Sequence, residues 1–525
     1  MKQTRRCTDR REKKQLIIDP LILLIHPPSA KPSEPPAGIA RLSGFLDSLG
    51  CRHALLDANL EGLLHLLNAN LPDKTAGDTW TKRAFRDCAQ NIASLRSAEL
   101  YRNRDRYRRA VRDIARVLSV LSPEGISIGL ADYEQTTLSP LRSRDLLYAS
   151  EHPEQNPFFA YFSFRLRQMI NELQPSHIGL SLNYISQALT AFAMAGFIRR
   201  NFYGIQIIMG GGLVTSWGDR IRTEGRFSGL IDHFVSGPGE EQLIRILGIN
   251  NETGACLRPS YKKLPGNLYL SPGLILPYSA STGCYWNRCD FCPEKAEGSR
   301  YVPMKPEKVM TDLNILKQET NPALIHLLDN AVSPALLERL SVNDIGIPWY
   351  GFARVNRQLT DPDFCRQLKR SGCRMLKLGI ESGDQDVLDR LDKGMDLNTA
   401  SKVLRTLKNA GIGTYVYLLF GTPPEDEASA RKTLSFTVQH SECIDYLNLA
   451  IFNMPICSGS ASGLETRGFS EGDLSLYTDF VHPLGWNRKK VRAFLDREFK
   501  KHPAVSPIIR RELPVFTSNH APFFV

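Results

Sequence analysis

Apolar positions along this chain follow two alternating patterns: unbroken runs of about five residues, and stretches where an apolar residue returns every third or fourth place. The first pattern reads as a buried parallel strand and the second as an amphipathic helix. Residues 16–26 (LIIDPLILLIH) predict a strand stopped by Pro27-Pro28, then a helix over 37–49 and a short strand over 51–56. Strands follow at 177–182, 205–209 and 231–235, with helices at 187–200 and from Glu240 onward. This alternation predicts an α/β fold whose first unit, residues 16–250, is a Rossmann-like, doubly wound parallel sheet. Such sheets bind ligands at the carboxyl ends of their strands, where Gly210, Gly211, Gly212 and Asp57 fall.

The Pro- and Gly-containing stretch 251–274 predicts a linker. A second series then gives strands at 278–282, 324–328, 349–352, 375–379, 413–420 and 446–452, with helices between. Six parallel strands with crossover helices over 275–460 predict a partial (β/α)6 barrel with its ligands at the C-terminal mouth. Residues 461–525 form an extension with one helix over 487–501, whose Val491, Phe494, Leu495 and Phe499 share a face. Residues 461–525, including the apolar end 514–525, are expected to help close the barrel mouth.

Composition changes this picture little, since 42% hydrophobic and 23% charged residues are ordinary for a globular protein. Charge is more informative. The net +11 is concentrated in a basic tail at 1–15, a local +5, and in residues 81–117, a local +7. The rest of the chain is neutral. Residues 81–117 lie within a helical insert spanning about 60–175. There Phe85, Cys88, Ile92 and Leu95, and then Tyr107, Val111, Ile114, Leu118 and Leu121, recur at helical spacing with arginines on the other faces. A solvated helix face explains the arginines, and clustered arginines without interleaved aromatics are a weak nucleic-acid signal. No apolar run nears the roughly 20 residues that a membrane-spanning helix needs. The basic start also lacks a leader's cleavage pattern. Eleven cysteines, sparse and odd in number, fit a reducing compartment and a cytoplasmic protein.

Three of those cysteines carry the sharpest chemistry. Cys284, Cys289 and Cys292 form a C-x4-C-x2-C loop directly after a predicted strand. Three thiolates on one loop can hold three irons of a cubane and leave the fourth open to another ligand. A structural zinc site wants a fourth ligand, and a thioredoxin-like Cys289-x-x-Cys292 would make Cys284 redundant. Cys365, Cys373, Cys443 and Cys457 show no second-cluster spacing.

With Phe291 just before its last cysteine, the loop resembles that of the radical S-adenosylmethionine (SAM) superfamily. Segments resembling the family's SAM contacts follow in order: Asp329-Asn330, Arg354, Gly379-Ile-Glu381-Ser382, and Tyr417-x-Leu419-x-Gly421-x-Pro423-x-Glu425. Each ends a successive strand. The resemblance implies a [4Fe-4S] cluster on Cys284, Cys289 and Cys292. It implies SAM contacts at Phe291, Asp329, Asn330, Arg354, Glu381, Ser382 and Gly421. SAM would chelate the open iron, and one electron from the reduced cluster would release methionine and a 5′-deoxyadenosyl radical. No side chain need act as acid or base, and the protein's part is binding and exclusion. The chain departs from the family in one respect: four residues, not three, separate Cys284 from Cys289.

Residues 16–250 resemble the B12-binding domain that precedes the barrel in a large branch of the superfamily. Asp57-Ala-Asn59-Leu-Glu-Gly62 has the spacing of the element whose histidine ligates cobalt in B12 enzymes, with Asn59 in the histidine's place. The resemblance implies cobalamin without a protein imidazole, contacted by Asp57, Asn59, Gly62, Ser181, Gly210, Gly211, Gly212 and Glu240. A domain that has lost cobalamin is the alternative, and a dinucleotide site lacks its G-x-G-x-x-G. The expectation is a cytoplasmic cobalamin-dependent radical SAM methyltransferase acting on a small molecule or natural product. Its electron donor would be of the flavodoxin or ferredoxin kind. Alternatives are a radical cyclase, rearrangement or peptide-modifying enzyme, an RNA-modifying enzyme, and a non-catalytic iron–sulfur sensor.

Overall fold

The computed structural model describes residues 21–69, 78–249, 257–458, 463–467, 471–513 and 520–525. The basic tail, Cys7 and the start of the first predicted strand lie outside them. Strands β1 (Ile22–His26), β2 (His53–Asp57), β3 (His177–Ser181), β4 (Gln206–Gly210) and β5 (His233–Val235) form one parallel sheet in the order β2-β1-β3-β4-β5. Crossing over from β1 to β3 creates a switch point, and sheets of this order take their ligand there, beyond the carboxyl ends. Register brings those ends into one row: His26 beside Asp57, Ser181 beside Gly210, and Gly210 beside Val235.

Every residue of β1 is buried, as expected where both faces of a parallel sheet are covered. Leu23 and Ile25 point into a core shared with the insert, while Ile22 and Leu24 point into one continuous with the outer shell of the second sheet. The insert folds as helices Thr79–Arg86, Cys88–Leu95 and Arg104–Leu121, its apolar stripe buried at Cys88, Ile92, Leu95, Tyr107, Val111, Ile114 and Leu118. It also contains an antiparallel hairpin, Ile126–Ile128 with Tyr133–Gln135. Strands of three residues are too short to leave a periodic trace in the sequence.

Several insert arginines bind the protein's own backbone. Arg96 donates to Leu268 O at 2.7 Å, Arg108 donates to Arg510 O and Glu512 O, and Arg104 lies 5.5 Å from the ring of Tyr446.

Strands β6 (Ile275–Tyr278), β7 (Leu324–Leu327), β8 (Trp349–Ala353), β9 (Cys373–Glu381), β10 (Gly413–Phe420) and β11 (Tyr446–Ile451) make a six-stranded, all-parallel sheet in sequence order. The sequence had placed β6 at 278–282. The apolar run ends at Tyr278, and the polar Ser281-Thr282 leaves the sheet to pair with Val302-Pro303. Of the segment read as a linker, residues 257–274 form a docked strap, and 251–256 lie outside the described residues. Tyr261, Leu264, Tyr269 and Leu270 are buried, Ser260 N donates to Ala40 O, and Leu270 N donates to Pro32 O.

Of the extension expected at the barrel mouth, residues 520–525 lie at the opposite end, and 514–519 lie outside the described residues. Ala521 joins Ile275, Leu324, Tyr350, Met375, Tyr415 and Tyr446 in a cluster at the amino ends of the strands, and Phe524 packs on Gly413 at the start of β10. The described tail therefore plugs the barrel floor. The mouth meets residues 477–494 of the same extension, whose Trp486 and Val491 approach the end of β10. The predicted last helix runs as Arg488–Phe494 and continues through a π turn at Leu495–Phe499.

Candidate functional site

The loop between β6 and helix Pro293–Ala296 carries three free thiols, Cys284, Cys289 and Cys292, with Cys289 buried. Gly283 precedes them at φ +66°, where a Cβ would stand 2.7 Å from Arg300 O, so a side chain there would push the loop off its base. Residues 391–393 hold the loop and Arg354 through three successive carbonyls. Asp290 N donates to Leu391 O, Trp286 Nε1 donates to Asp392 O at 2.8 Å, and Arg354 Nη2 donates to Lys393 O. Arg354 also lies 4.4 Å from the Trp286 ring and points Nη1 at Cys289 Sγ, 3.8 Å away. Trp286 sits in the four-residue spacer between the first two cysteines. Burial pushes the Cys289 thiol up, while Lys393 and then Arg354 favour its thiolate. Burial pushes Cys292 up as well, opposed by the backbone N–H groups of Lys295 and Glu294.

Cys292 is near enough to both Cys289 and Cys284 to feel their charge, and no three His, Cys, Asp or Glu side chains among the described residues converge on a single ion. A cubane meets each thiolate at a different iron, so three free thiols on one buttressed loop fit it.

Strand ends bring the other predicted residues to the same mouth, with differing availability. Asp329 is buried and already engaged: Ala280 N donates to Oδ2 at 3.0 Å and Ser281 Oγ donates to Oδ1. It ties β7 to the turn that launches the cysteine loop, and burial raises its pKa. Asn330 beside it is exposed. Glu381, at φ +68° on a bulge of β9, pairs with Lys393 at 2.9 Å, and Lys393 Nζ also lies 5.5 Å from the Phe291 ring. Ser382 points away into the shell, bonded to Thr433 and accepting from Asp384 N. Gly421 N donates to Glu425, whose other donor is Trp486 Nε1 at 3.0 Å. Glu425 is fully buried and its Oε1 is unpartnered, so burial pushes its carboxyl up to about 8.

Below the mouth, the lumen holds polar residues that periodicity did not single out. Glu34, from the Pro-rich turn after β1, reaches His326 Nδ1 at 3.0 Å, and His326 stacks on Tyr350 and lies 3.5 Å from Lys377 Nζ. Burial lowers His326 to about 4 and Lys377 to about 7. Glu34 sits at about 2, its burial outweighed by the His326 contact. An ionised carboxylate can only accept, so His326 Nδ1 donates to Glu34. A lysine amid apolar residues at an inward position of β9 was the available signal for this cluster.

Between the two sheets lies a cavity of about 880 Å³. One wall comprises Ser181, Gly210, Gly211, Gly212 and Glu240. The other comprises Ser281, Thr282, Gly283 and Asn330 beside the cysteine loop. Glu240 is paired there with Arg41. Asp57, Asn59 and Gly62 are not brought to this cavity. Asp57 caps helix Ala58–Leu67 and accepts from Tyr269 at 2.8 Å, with burial pushing it up to about 6. Asn59 accepts from Ala30 N at 2.7 Å, and Gly62 lies against the rings of Tyr161 and Phe158. They follow β2, an edge strand, whereas the cavity opens beyond β3, β4 and β5.

The sequence pattern of the Radical SAM superfamily matches residues 278–437. An uncharacterized methyltransferase of Pyrococcus horikoshii is 24% identical over 327 residues, 54% of this chain and 68% of that protein. The bacteriochlorophyllide d C-12(1)-methyltransferase of Chlorobaculum tepidum is 24% identical over 176 residues, 32% of this chain and 38% of its own. Among solved structures, the cobalamin-dependent S-adenosylmethionine radical enzyme OxsB with aqua-cobalamin bound is similar with a TM-score of 0.50 at 14% identity, over 84% of this chain and 54% of OxsB. At that identity the likeness speaks to the fold. The chain spans about half of OxsB and little more than a third of the Chlorobaculum enzyme.

Proposed function

Residues 278–437 being a radical SAM domain, we propose that this protein is a cobalamin-dependent methyltransferase that acts on an unactivated carbon of a small molecule or natural product. The observation that carries the proposal is the cavity of about 880 Å³, walled on one side by the glycine-rich strand ends and on the other by the base of the cysteine loop. A corrin there would lie within reach of a substrate held at the barrel mouth. The methyltransferase names of two relatives and the cobalamin-bound state of OxsB support the same reading.

When bound, the cluster with SAM supplies a carbon radical and the cobalamin supplies a methyl group. The chain's own residues bind and orient. Cys284, Cys289 and Cys292 would hold the cluster. Asp329 and residues 391–393 hold the loop and its neighbours in place, while Phe291, Asn330, Arg354, Glu381 and Gly421 would frame the space for SAM. Gly210, Gly211 and Gly212 let a bulky ligand approach the backbone, and no histidine is among the residues of the cavity wall. A reducing compartment and a one-electron donor of the flavodoxin or ferredoxin class follow from this chemistry. The described cysteines are free thiols, and no helix among the described residues is long and apolar enough to cross a membrane.

Anaerobic reconstitution with iron, sulfide and cobalamin tests the reading. Bound corrin and iron–sulfur absorption are expected in one protein, with 5′-deoxyadenosine released on reduction in the presence of SAM. Protein that takes up no corrin refutes the cobalamin assignment. Undiminished SAM cleavage by Cys284→Ala refutes the cluster assignment.

A further inference from the structure

We propose that Arg354, locked in place by Trp286, sets the reduction potential of the cluster by presenting a fixed positive charge to Cys289; this rests on the cluster reading above. The geometry is specific. One arm of the guanidinium faces Cys289 Sγ at 3.8 Å, the other donates to Lys393 O, and the Trp286 ring lies 4.4 Å from its centre. Trp286 is itself pinned, donating Nε1 to Asp392 O at 2.8 Å. Its ring lies against Gly394, where a Cβ would come within 1.9 Å. The four-residue spacer thus delivers the ring that clamps Arg354.

Two cations act on Cys289, and they are not equivalent. Lys393 is neutralised by Glu381 at 2.9 Å, both side chains being largely buried. Among the described residues no carboxylate lies within salt-bridge distance of Arg354, so its charge acts on the thiolate without local compensation. Reduction adds one electron from an external one-electron donor and makes the cluster more negative by one charge. A guanidinium keeps its proton throughout. Net charge and hydrogen bonds to the sulfurs set cluster potentials, so the contact favours the reduced form. A mobile arginine would be drawn off into solvent, and the stack prevents that.

The test is an EPR-monitored redox titration of the anaerobically reconstituted full-length protein, with cluster content measured for every variant. At a fixed potential, Arg354→Gln should lower the ratio of reduced to oxidised cluster about tenfold, which is 59 mV for a one-electron couple. Trp286→Leu keeps the charge but frees it, and should move the ratio about threefold in the same direction, since an unstacked guanidinium is less well positioned. Arg354→Lys should fall between. An unmoved midpoint in fully loaded Arg354→Gln overturns the proposal. If that variant does not retain its cluster, unmoved midpoints in Trp286→Leu and Arg354→Lys overturn it equally. Wild-type protein that takes up no cluster overturns the cluster reading and this proposal together, whereas loaded wild type with unmoved variants overturns this proposal alone.

Discussion

Replacing Glu425 by Gln should abolish a pH-dependent weakness of the fold at the barrel mouth. Glu425 is fully buried, Oε2 takes both donors, Gly421 N and Trp486 Nε1, and Oε1 is unpartnered. Burial dominates these two bonds and lifts the carboxyl from 4.5 to about 8. The unfolded chain therefore releases its proton near pH 4.5, and the folded chain keeps it until about pH 8. In that window the folded state binds more protons, so stability falls as pH rises. The slope is about 1.4 kcal/mol per pH unit, for about 5 kcal/mol across the window. Gln preserves the acceptor and has no proton to lose. The assay is urea unfolding of both proteins at half-unit steps from pH 5 to 9, read as the difference between them, which cancels every other titrating group. Near-equal stability is expected at pH 5, with the variant ahead by a few kcal/mol at pH 8.5. Parallel curves across the range would show that Glu425 ionises normally in the folded protein, and the argument from its burial would be wrong.

Three further outcomes follow from particular contacts. Tyr269→Phe leaves the buried Asp57 Oδ2 without its donor and should cost about 1–3 kcal/mol, more at pH 7.5 than at pH 5 because Asp57 ionises near 6; urea unfolding at the two pH values measures it. Gly394→Ala puts a methyl group into the Trp286 ring at a positive-φ position, and should change tryptophan fluorescence and shift the cluster midpoint in the direction of Trp286→Leu. Phe524→Ala removes a ring from the barrel floor beside Gly413. It should cost about 2–3 kcal/mol, less than a fully buried phenylalanine would, and leave iron content unchanged, since it acts at the end of the barrel remote from the cysteines; thermal unfolding and iron analysis check both halves.

Much of the architecture was legible because its signals are local. Runs such as ILLIH at β1 and GTYVYLLF at β10 are continuous, strongly apolar and bounded by turn formers, so their strands are readable without a partner in view. The spacing of Cys284, Cys289 and Cys292 is local too, and the loop stands where the sequence placed it. The strand-end residues separated by role only in three dimensions. Arg354 and Glu381 face the cysteine loop, whereas Ser382, one position on, faces the shell, and Asp329 is consumed in tying down a turn.

What the amino-acid sequence determined alone was the succession of strands and helices, the cysteine loop, and the arginine-rich stripe of the insert. Tertiary structure decided what those pieces do to one another. It turned residues 257–274 into a strap, spent insert arginines on the protein's own carbonyls, and sent residues 520–525 to the barrel floor. It also set Asp57, Asn59 and Gly62 apart from the interdomain cavity, and closed Trp286, Arg354 and residues 391–394 around Cys289. The reason is physical. Periodicity and turn chemistry act over a few residues, whereas each of these outcomes depends on which distant group supplies the missing hydrogen bond or covers the exposed ring, and only the packed chain brings those groups into contact.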